Sequence, residues 1–413
     1  MEYRKPKLRF NGFDEEWEKK RLDEIIQLNS GMDYKHLEDG DIPVYGTGGY
    51  MLNVNKALSY NEDAIGIGRK GTIDKPFILK APFWTVDTLF YAIPQNDNDL
   101  QFCNCLFQKV DWRKHDESTG VPSLSKNIIN AVEVNTVLNI TEQKKIGEFF
   151  EELDELICAK EQEVEKLKQI KAALLDKMFP NDESDKPNRG GYNEMIYNVL
   201  QNASLVYGGD KPNVPCIRFR GFSEPWGRKT IGELFLLRNG YTPSKSNPNF
   251  WNNGDIPWFR MEDIRENGHI LKSSIQYVTK EAVKDSGLFP AGSIILSTTA
   301  TIGEHALLIA DSLANQQFTV LQTVNRWKTI DMMYFYQYGF ILGAWCKKNV
   351  NVGGLNAVNI SDLKNHTVPY PSMQEQTMIA EYLLSHDNRL LDAQHQIIKL
   401  RNIKQACLQK MFA

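Results

Sequence analysis

The chain has 413 residues, 42% of them apolar, with 48 basic against 52 acidic side chains and a net charge of −4. That length exceeds one ordinary domain, and the acidic balance argues against a protein that grips phosphates over its whole surface. No stretch approaches the about 18 apolar residues a membrane span needs, and six scattered cysteines suit reduced thiols rather than a disulfide framework.

In chain order, the opening Met1-Glu2-Tyr3-Arg4-Lys5-Pro6 lacks the apolar segment of a signal peptide, so a cytoplasmic location is expected. Leu8-Arg9-Phe10-Asn11-Gly12-Phe13 with Trp17 introduces a first globular unit, expected over residues 1–141. An apolar turn (Leu22 to Ile26), Ser30-Gly31 and Asp41-Ile42-Pro43 lead to a β-type run, Ala64-Ile65-Gly66-Ile67-Gly68. A polar turn, Arg69-Lys70-Gly71-Thr72-Ile73, follows, and Ser118-Thr119-Gly120-Val121-Pro122-Ser123-Leu124-Ser125 forms a second loop.

A first long helix is predicted over 142–179, with Thr141 as its cap and Pro180 as its stop. Ile146, Phe150, Leu153, Ile157, Val164, Leu167, Leu174 and Met178 step four and three residues apart, with Lys160 and Lys171 completing a heptad seam. Such a helix is roughly 55 Å long. Residues 180–214, rich in Asp, Asn, Lys, Pro and Gly, read as a linker or insertion without an assignable role; an apolar patch near Met195 to Leu200 suggests a short helix.

A second unit is expected over 215–371. It repeats the elements of the first: Ile231 to Leu237, Asn239-Gly240, Asp255-Ile256-Pro257, the run Ser293 to Ser297, and Thr298-Thr299-Ala300-Thr301-Ile302. Its second loop runs from Val352 through Gly353-Gly354-Leu355 to Asn359. A closing helix over 372–413, capped by Ser372, carries Ile379, Leu383, Leu390, Ile397, Leu400 and Met411 at seam positions, with His386, Ala393, Lys404 and Cys407 between them. His386 is expected as a hydrogen-bonded core residue. Lys171 and Lys404 are expected to lay their stems along the seam and to carry their ammonium groups out to water.

The chain therefore says the same thing twice. The Arg-Phe-x-Gly-Phe opening recurs after 209 residues (8 to 217), and Glu142-Gln143 through Met178-Phe179 recurs without a gap after 233 (142 to 375). The intervening inserts differ in sequence and, by 233 − 209, in length by 24 residues. Two seams of equal length in one chain can pair with each other. The linker would span either direction, and an antiparallel coiled coil with pseudo-twofold symmetry is the expectation. The fold class is α+β: two similar globular units separated by paired helices.

The repeated Arg-Phe-x-Gly-Phe openings, Thr-Ile turns and Glu-Gln…Lys-Met-Phe helices resemble a family of DNA-reading subunits, which implies base readout by Arg, Lys, Asn, Gln, Ser or Thr on loops that can enter the major groove. The candidates are Tyr45, Thr47, Arg69, Lys70, Thr72 and Lys75 in the first unit, and Arg260, Thr298, Thr299, Thr301, Gln316 and Gln317 in the second. Surface polarity and turn chemistry would also account for these residues. Catalytic signals are weak. Gly66 to Gly71 fits the bare dinucleotide pattern, but Pro76 interrupts the helix that should follow. There is no phosphate-binding Gly-x-x-x-x-Gly-Lys loop, no Asn/Asp-Pro-Pro-Tyr/Phe motif and no second pair to complete a metal site with Cys103 and Cys105. No cofactor or metal is expected, and the chain is read as non-catalytic.

The order of these pieces, occurring twice, resembles the specificity subunits of type I restriction–modification systems over nearly the whole chain. The resemblance rests on the Arg-Phe-x-Gly-Phe…Trp openings, the Thr-Ile turns, the Gly-Val-Pro-Ser-Leu and Gly-Leu-Asn loops, and the Glu-Gln…Lys-Met-Phe helices. It implies two target recognition domains, each reading one half of a split sequence in double-stranded DNA. It also implies docking of methyltransferase subunits, two of them, and of restriction subunits that translocate and cleave. Unlike inserts imply an asymmetric target, with half-sites about one helical turn (~34 Å) apart. The competing reading is a coiled-coil scaffold whose two units bind proteins.

Overall fold

The computed structural model describes residues 5–180, 205–207, 213–324, 330–351 and 356–412. The 181–204 stretch of the linker and the Gly353-Gly354-Leu355 loop lie outside the described residues. The chain divides into two compact units, residues 1–163 with 393–413 and residues 164–392, so each long helix contributes a part to each unit.

The first unit contains β1 (Glu18–Arg21), β2 (Ile26–Ser30), β3 (Ile42–Gly46), β4 (Gly49–Val54), β5 (Ala64–Gly68), β6 (Phe77–Leu79), β7 (Trp84–Thr85), β8 (Leu89–Pro94) and β9 (Glu133–Thr136). Its helices are α1 (Leu100–Lys109), α2 (Lys126–Ala131) and the first part of α3 (Ile140–Met178). One sheet has the order β2-β8-β5-β6, and a second has β3 between antiparallel β4 and parallel β7. All five residues of β5 are buried, which explains its unbroken Ala-Ile-Gly-Ile-Gly composition. Trp17, Ile65, Phe102, Trp112 and Phe150 share one core with Phe412 from the end of the chain.

The second unit repeats the plan with β10 (Leu205–Tyr207), β11 (Ile217–Phe219), β12 (Gly227–Thr230), β13 (Phe235–Asn239), β14 (Ile256–Phe259), β15 (Ile270–Leu271), β16 (Tyr277–Val278), β17 (Ile294–Ser297), β18 (His305–Leu308), β19 (Leu313–Ala314), β20 (Phe318–Thr323), β21 (Val350–Asn351), β22 (Ala357–Val358) and β23 (Thr367–Tyr370). The rest of α3 and five further helices complete it: α4 (Ile231–Leu234), α5 (Met261–Asn267), α6 (Met332–Lys348), α7 (Ile360–Asn365) and α8 (Met373–Met411). The sheet order β13-β20-β17-β18-β15 and the trio β16-β14-β19 match those of the first unit strand for strand at their centres. The register matches too. Val44 and Tyr45 face Trp84 and Thr85, as Trp258 and Phe259 face Leu313 and Ala314. The units diverge just after this strand, where a short hairpin joins β3 to β4 but α5 and β15 intervene between β14 and β16.

The repeated dipeptides explain why the frame is shared. Glu142 is fully buried and receives both Arg9 Nε and Nη2 at 2.7 Å. Glu375 likewise receives Arg218 Nε at 2.7 Å and Nη2 at 2.9 Å, and also Trp226 Nε1 at 3.1 Å. The adjacent glutamines hold the residue that caps an earlier helix of the same repeat. Gln143 Oε1 accepts from Asp99 N at 2.9 Å, and Gln376 Oε1 from Asp331 N at 2.8 Å. Asp99 and Asp331 in turn cap α1 and α6 through their carboxylates. Trp17 differs from Trp226 in that its buried Nε1 has no hydrogen-bond partner among the described residues.

Within each unit the two long helices run antiparallel. In the first, Lys404 Nζ meets Asp154 at 2.6 and 2.8 Å, and Arg401 meets Glu161 at 2.5 Å. In the second, Lys171 pairs with Asp387, whose other oxygen accepts from Gln337 Nε2 at 2.8 Å. Ile146, Phe150, Ile157, Ile397 and Met411 are buried in the first unit, and Val164, Leu167, Leu174, Met178, Ile379 and Leu383 in the second. Leu153, Leu390 and Leu400 are half-buried. Phe412 meets Trp17 and Phe102 with ring centroids 5.6 and 5.5 Å away, and Phe179 meets Trp226 and Tyr334 at 6.4 and 5.4 Å.

Three local expectations need correction. Lys171 does not carry its charge to water: it is buried, lies 4.5 Å from the Phe340 ring centroid, and has its pKa lowered by burial despite the opposing pull of Asp387. His386 is buried against Tyr382, but its Nδ1 has no hydrogen-bond partner among the described residues. The cap of α3 is Asn139, whose Oδ1 accepts from Thr141 N at 3.0 Å and Glu142 N at 3.3 Å, rather than Thr141. Ser372 does cap α8, accepting from Glu375 N at 3.3 Å.

Removing one member of a buried pair leaves an uncompensated charge. Arg218→Met should lower stability by ~3–5 kcal/mol in denaturant unfolding, and adding Glu375→Met should recover most of that loss. The side chain of Asp387 is 23% exposed and that of Asp154 is 46% exposed. Asp387→Ala should therefore cost about 3 kcal/mol and Asp154→Ala less than about 1 kcal/mol. Equal costs would contradict this ranking.

Candidate nucleic-acid interface

Each unit gathers its loops at one end by main-chain bonds. In the first unit, Gly31 N donates to Leu89 O at 3.1 Å and Met32 N to Thr85 O at 2.9 Å. In the second, Gly240 N donates to Phe318 O at 2.9 Å and Tyr241 N to Ala314 O at 2.8 Å. A Cβ at Gly31 would fall on the Val86 carbonyl and one at Gly240 on the Asn315 carbonyl, so only glycine allows this approach. An indole then fixes the next carbonyl: Trp84 Nε1 reaches Met32 O at 2.9 Å, and Trp258 Nε1 reaches Tyr241 O at 3.0 Å. The two tryptophans come from non-equivalent strands, β7 and β14, yet hold the same point of the frame.

Around the first anchor, Arg69 N donates to Thr88 O at 2.8 Å and Leu124 N to Arg69 O at 2.9 Å. Lys70 bridges Ser123, and Gly71 N donates to Pro122 O at 2.8 Å. Asp116 closes the Ser118–Ser123 loop by accepting from both backbone amides at 2.9 Å, bonds that lower its pKa, with Ser123 the larger cause. Tyr45 O accepts from Val86 N at 3.0 Å, and Thr47 Oγ1 lies 3.8 Å from the Cβ position of Gly71. Tyr45, Thr47, Arg69, Lys70 and Thr72 thus come together. Arg69 and Lys70 are exposed, and the other three are half-buried. Lys75 is exposed farther along, beside Asp74, whose carboxyl is held below the usual range by a 2.6 Å bond from Arg113. The Gly66 to Gly71 segment passes from β5 into this turn, and the next element is β6, so no helix start is available for a pyrophosphate.

In the second unit, Thr298 N donates to Gln317 O at 3.2 Å, Val358 N to Thr298 O at 2.9 Å, and Thr299 bridges Ala357. Asn315 N donates to Phe259 O at 2.9 Å, which sets Arg260 beside the Asn315–Gln317 turn. Gln316 is exposed and contacts Thr242, whereas Gln317 is half-buried and locked to Asn315. Thr299, Thr301 and Arg260 are half-buried. Thr298 faces inward: it is buried, with its hydroxyl 2.9 Å from that of Thr319, so it supports the surface more than it forms it. Asn315 and Thr242 were missed in the sequence, although Asn315 directly precedes the two glutamines.

Among the described residues no group of three or more His, Cys, Asp or Glu could hold a metal ion, and no helix is long and apolar enough to cross a membrane. Both loop clusters instead present hydrogen-bonding side chains on main-chain scaffolds of the same design. That defines a class: a duplicated α+β chain whose common frame displays two unlike polar surfaces.

The sequence matches the family described as the type I restriction modification DNA specificity domain over residues 14–169 and again over 223–400, and the chain belongs to that family. It is 49% identical over 142 residues to the Escherichia coli type I restriction enzyme EcoprrI specificity subunit, covering 34% of this chain and 35% of that one. It is 29% identical over 167 residues to the MjaIX specificity subunit of Methanocaldococcus jannaschii, covering 40% and 38%. The matched stretches thus span little more than a third of these relatives. A crystal structure of the type I restriction–modification S subunit from M. genitalium shares the fold at a TM-score of 0.66, with 16% identity and 99% of each chain covered. A chain from a structure of type I restriction–modification complex assembly and conformational transition aligns at 0.53, with 14% identity and coverage of 96% and 97%.

Proposed function

We propose that this protein is the DNA sequence-specificity subunit of a type I restriction–modification complex. Its two target recognition domains, residues 1–141 and 215–371, each read one half of an asymmetric bipartite target. The observation that carries the reading is the pairing of one frame with two different loop surfaces. Arg69, Lys70, Thr47, Thr72, Tyr45 and Lys75 serve one half-site, and Arg260, Thr299, Thr301, Gln316 and Gln317, backed by Thr298, serve the other. Arginine, lysine, glutamine and threonine are residue types that read base edges.

The subunit itself carries out no chemistry. It docks two methyltransferase subunits and the restriction subunits in the cytoplasm, and those partners supply most of the phosphate contacts that a chain of net charge −4 lacks. The seam of the paired helices keeps the assembly stiff, since buried apolar residues at heptad spacing resist sliding.

Long-read methylation mapping of cells carrying the partner methyltransferase, with and without this gene, should reveal one bipartite adenine-methylated motif that depends on the gene. An unchanged methylation pattern in the presence of active partners would refute the assignment. Exchanging residues 217–370 for the second unit of another family member should alter one half of that motif only. A change in both halves would contradict independent reading.

A further inference from the structure

The two trios built on β3 and β14 share a register, so their side chains can be compared position by position. Counted from the shared Asp-Ile-Pro, Gly46 of the first unit corresponds to Arg260 of the second. In the first unit the space a Cβ would need is taken by Met51 Sδ, 2.9 Å away. In the second the same point carries the largest cationic side chain, so the frame is conserved where the chemistry is not.

Arg260 is also unusually prepared. Its backbone N donates to Asp263 Oδ2 at 2.8 Å, and Asp263 is fully buried. Asp263 Oδ1 accepts from Ile275 N at 2.6 Å and lies 3.0 Å from Ser274 Oγ, which is also 2.8 Å from Trp258 O. These bonds lock the carboxylate to the strand that carries Arg260. Arg260 Nε then lies 3.9 Å from Asp263 Oδ2 and 3.8 Å from Glu262 Oε2, and the guanidinium carbon lies 5.6 Å from the centroid of the Trp258 ring. Yet Nε has no hydrogen-bond partner among the described residues, and the side chain is 20% exposed. Charge and an aromatic face hold the group in place; Nε itself is buried, so the exposed fifth of the side chain leaves the terminal Nη donors to meet a ligand. An arginine fork in this condition suits the paired O6 and N7 acceptors of guanine.

We propose that Arg260 reads a guanine in the half-site of the second unit and that Asp263 is its positioning residue. The proposal rests on the DNA-reading function proposed above and names a specificity determinant within it. It is tested in cells that carry the partner methyltransferase, by mapping methylation for the wild type, Arg260→Lys, Arg260→Gly and Asp263→Asn, alongside thermal melting of each purified complex. Lysine keeps the charge but loses the fork, and glycine restores the residue of the first unit.

Both Arg260 variants should relax one G·C position in one half of the motif, with at least about a tenfold loss of discrimination there. Asp263→Asn, which keeps one acceptor and sets its NH2 against a backbone amide, should relax the same position more weakly and melt somewhat lower, so the motif rather than the yield of methylation is the readout. An unchanged motif in both Arg260 variants would overturn the proposal. So would an Asp263→Asn variant that lowers methylation evenly at every site without altering the motif, since that is what a purely structural role predicts. A wild-type arm with no motif would instead sink the DNA-reading function itself, which separates the two failures.

Discussion

Two carboxylates that never meet water organise this molecule. Glu142 and Glu375 sit in the first turns of the long helices, and each is matched in bidentate fashion by one arginine from the start of its repeat. A buried ion costs several kcal/mol unless its hydrogen bonds are complete, so the chain must bring residues 9 and 142, and 218 and 375, into one geometry or forgo folding there. The neighbouring glutamines extend the constraint to the caps of α1 and α6. The start of each repeat and two helix caps are thus tied to the first turn of a long helix, which explains why the dipeptide recurs while the sequence between does not.

Much of this architecture is legible in the sequence. The 233-residue offset revealed both helices, and heptad spacing picked out Phe150, Leu167 and Leu383 as buried positions. Asn139 is harder to read, because Asn and Thr are both capping residues and helix boundaries drawn from sequence shift by one or two positions. Lys171 was misjudged because its partner lies 216 residues away. A signal existed even so: Asp154 and Asp387, like Lys171 and Lys404, obey the same offset. Complementary charges at repeat-related positions betray antiparallel pairing.

The loop surfaces were legible in kind but not in detail. Polar residue types after β5 and β17 mark turns that the structure places beside the other loops of each unit, yet no periodicity distinguishes a half-buried Thr299 from a buried Thr298. That difference comes from the Thr319 hydroxyl across the sheet. Nor could spacing alone reveal that Trp84 and Trp258, from different strands, fix the same carbonyl. Tertiary convergence of this sort leaves no local pattern.

The loops are fastened by amide-to-carbonyl bonds that any residue except proline can make, together with two glycines that tolerate no replacement. Among the described residues the side chains at 70 and 299 take no part in that fastening beyond their main chain, whereas Arg69 Nη1 adds a 3.3 Å bond to Asp87 O and Gln316 bonds Thr242. Natural variation is therefore free to rewrite what the surface says without touching what holds it up. One frame thus accepts new surfaces one substitution at a time, with Gly31 and Gly240 as the positions that must stay fixed.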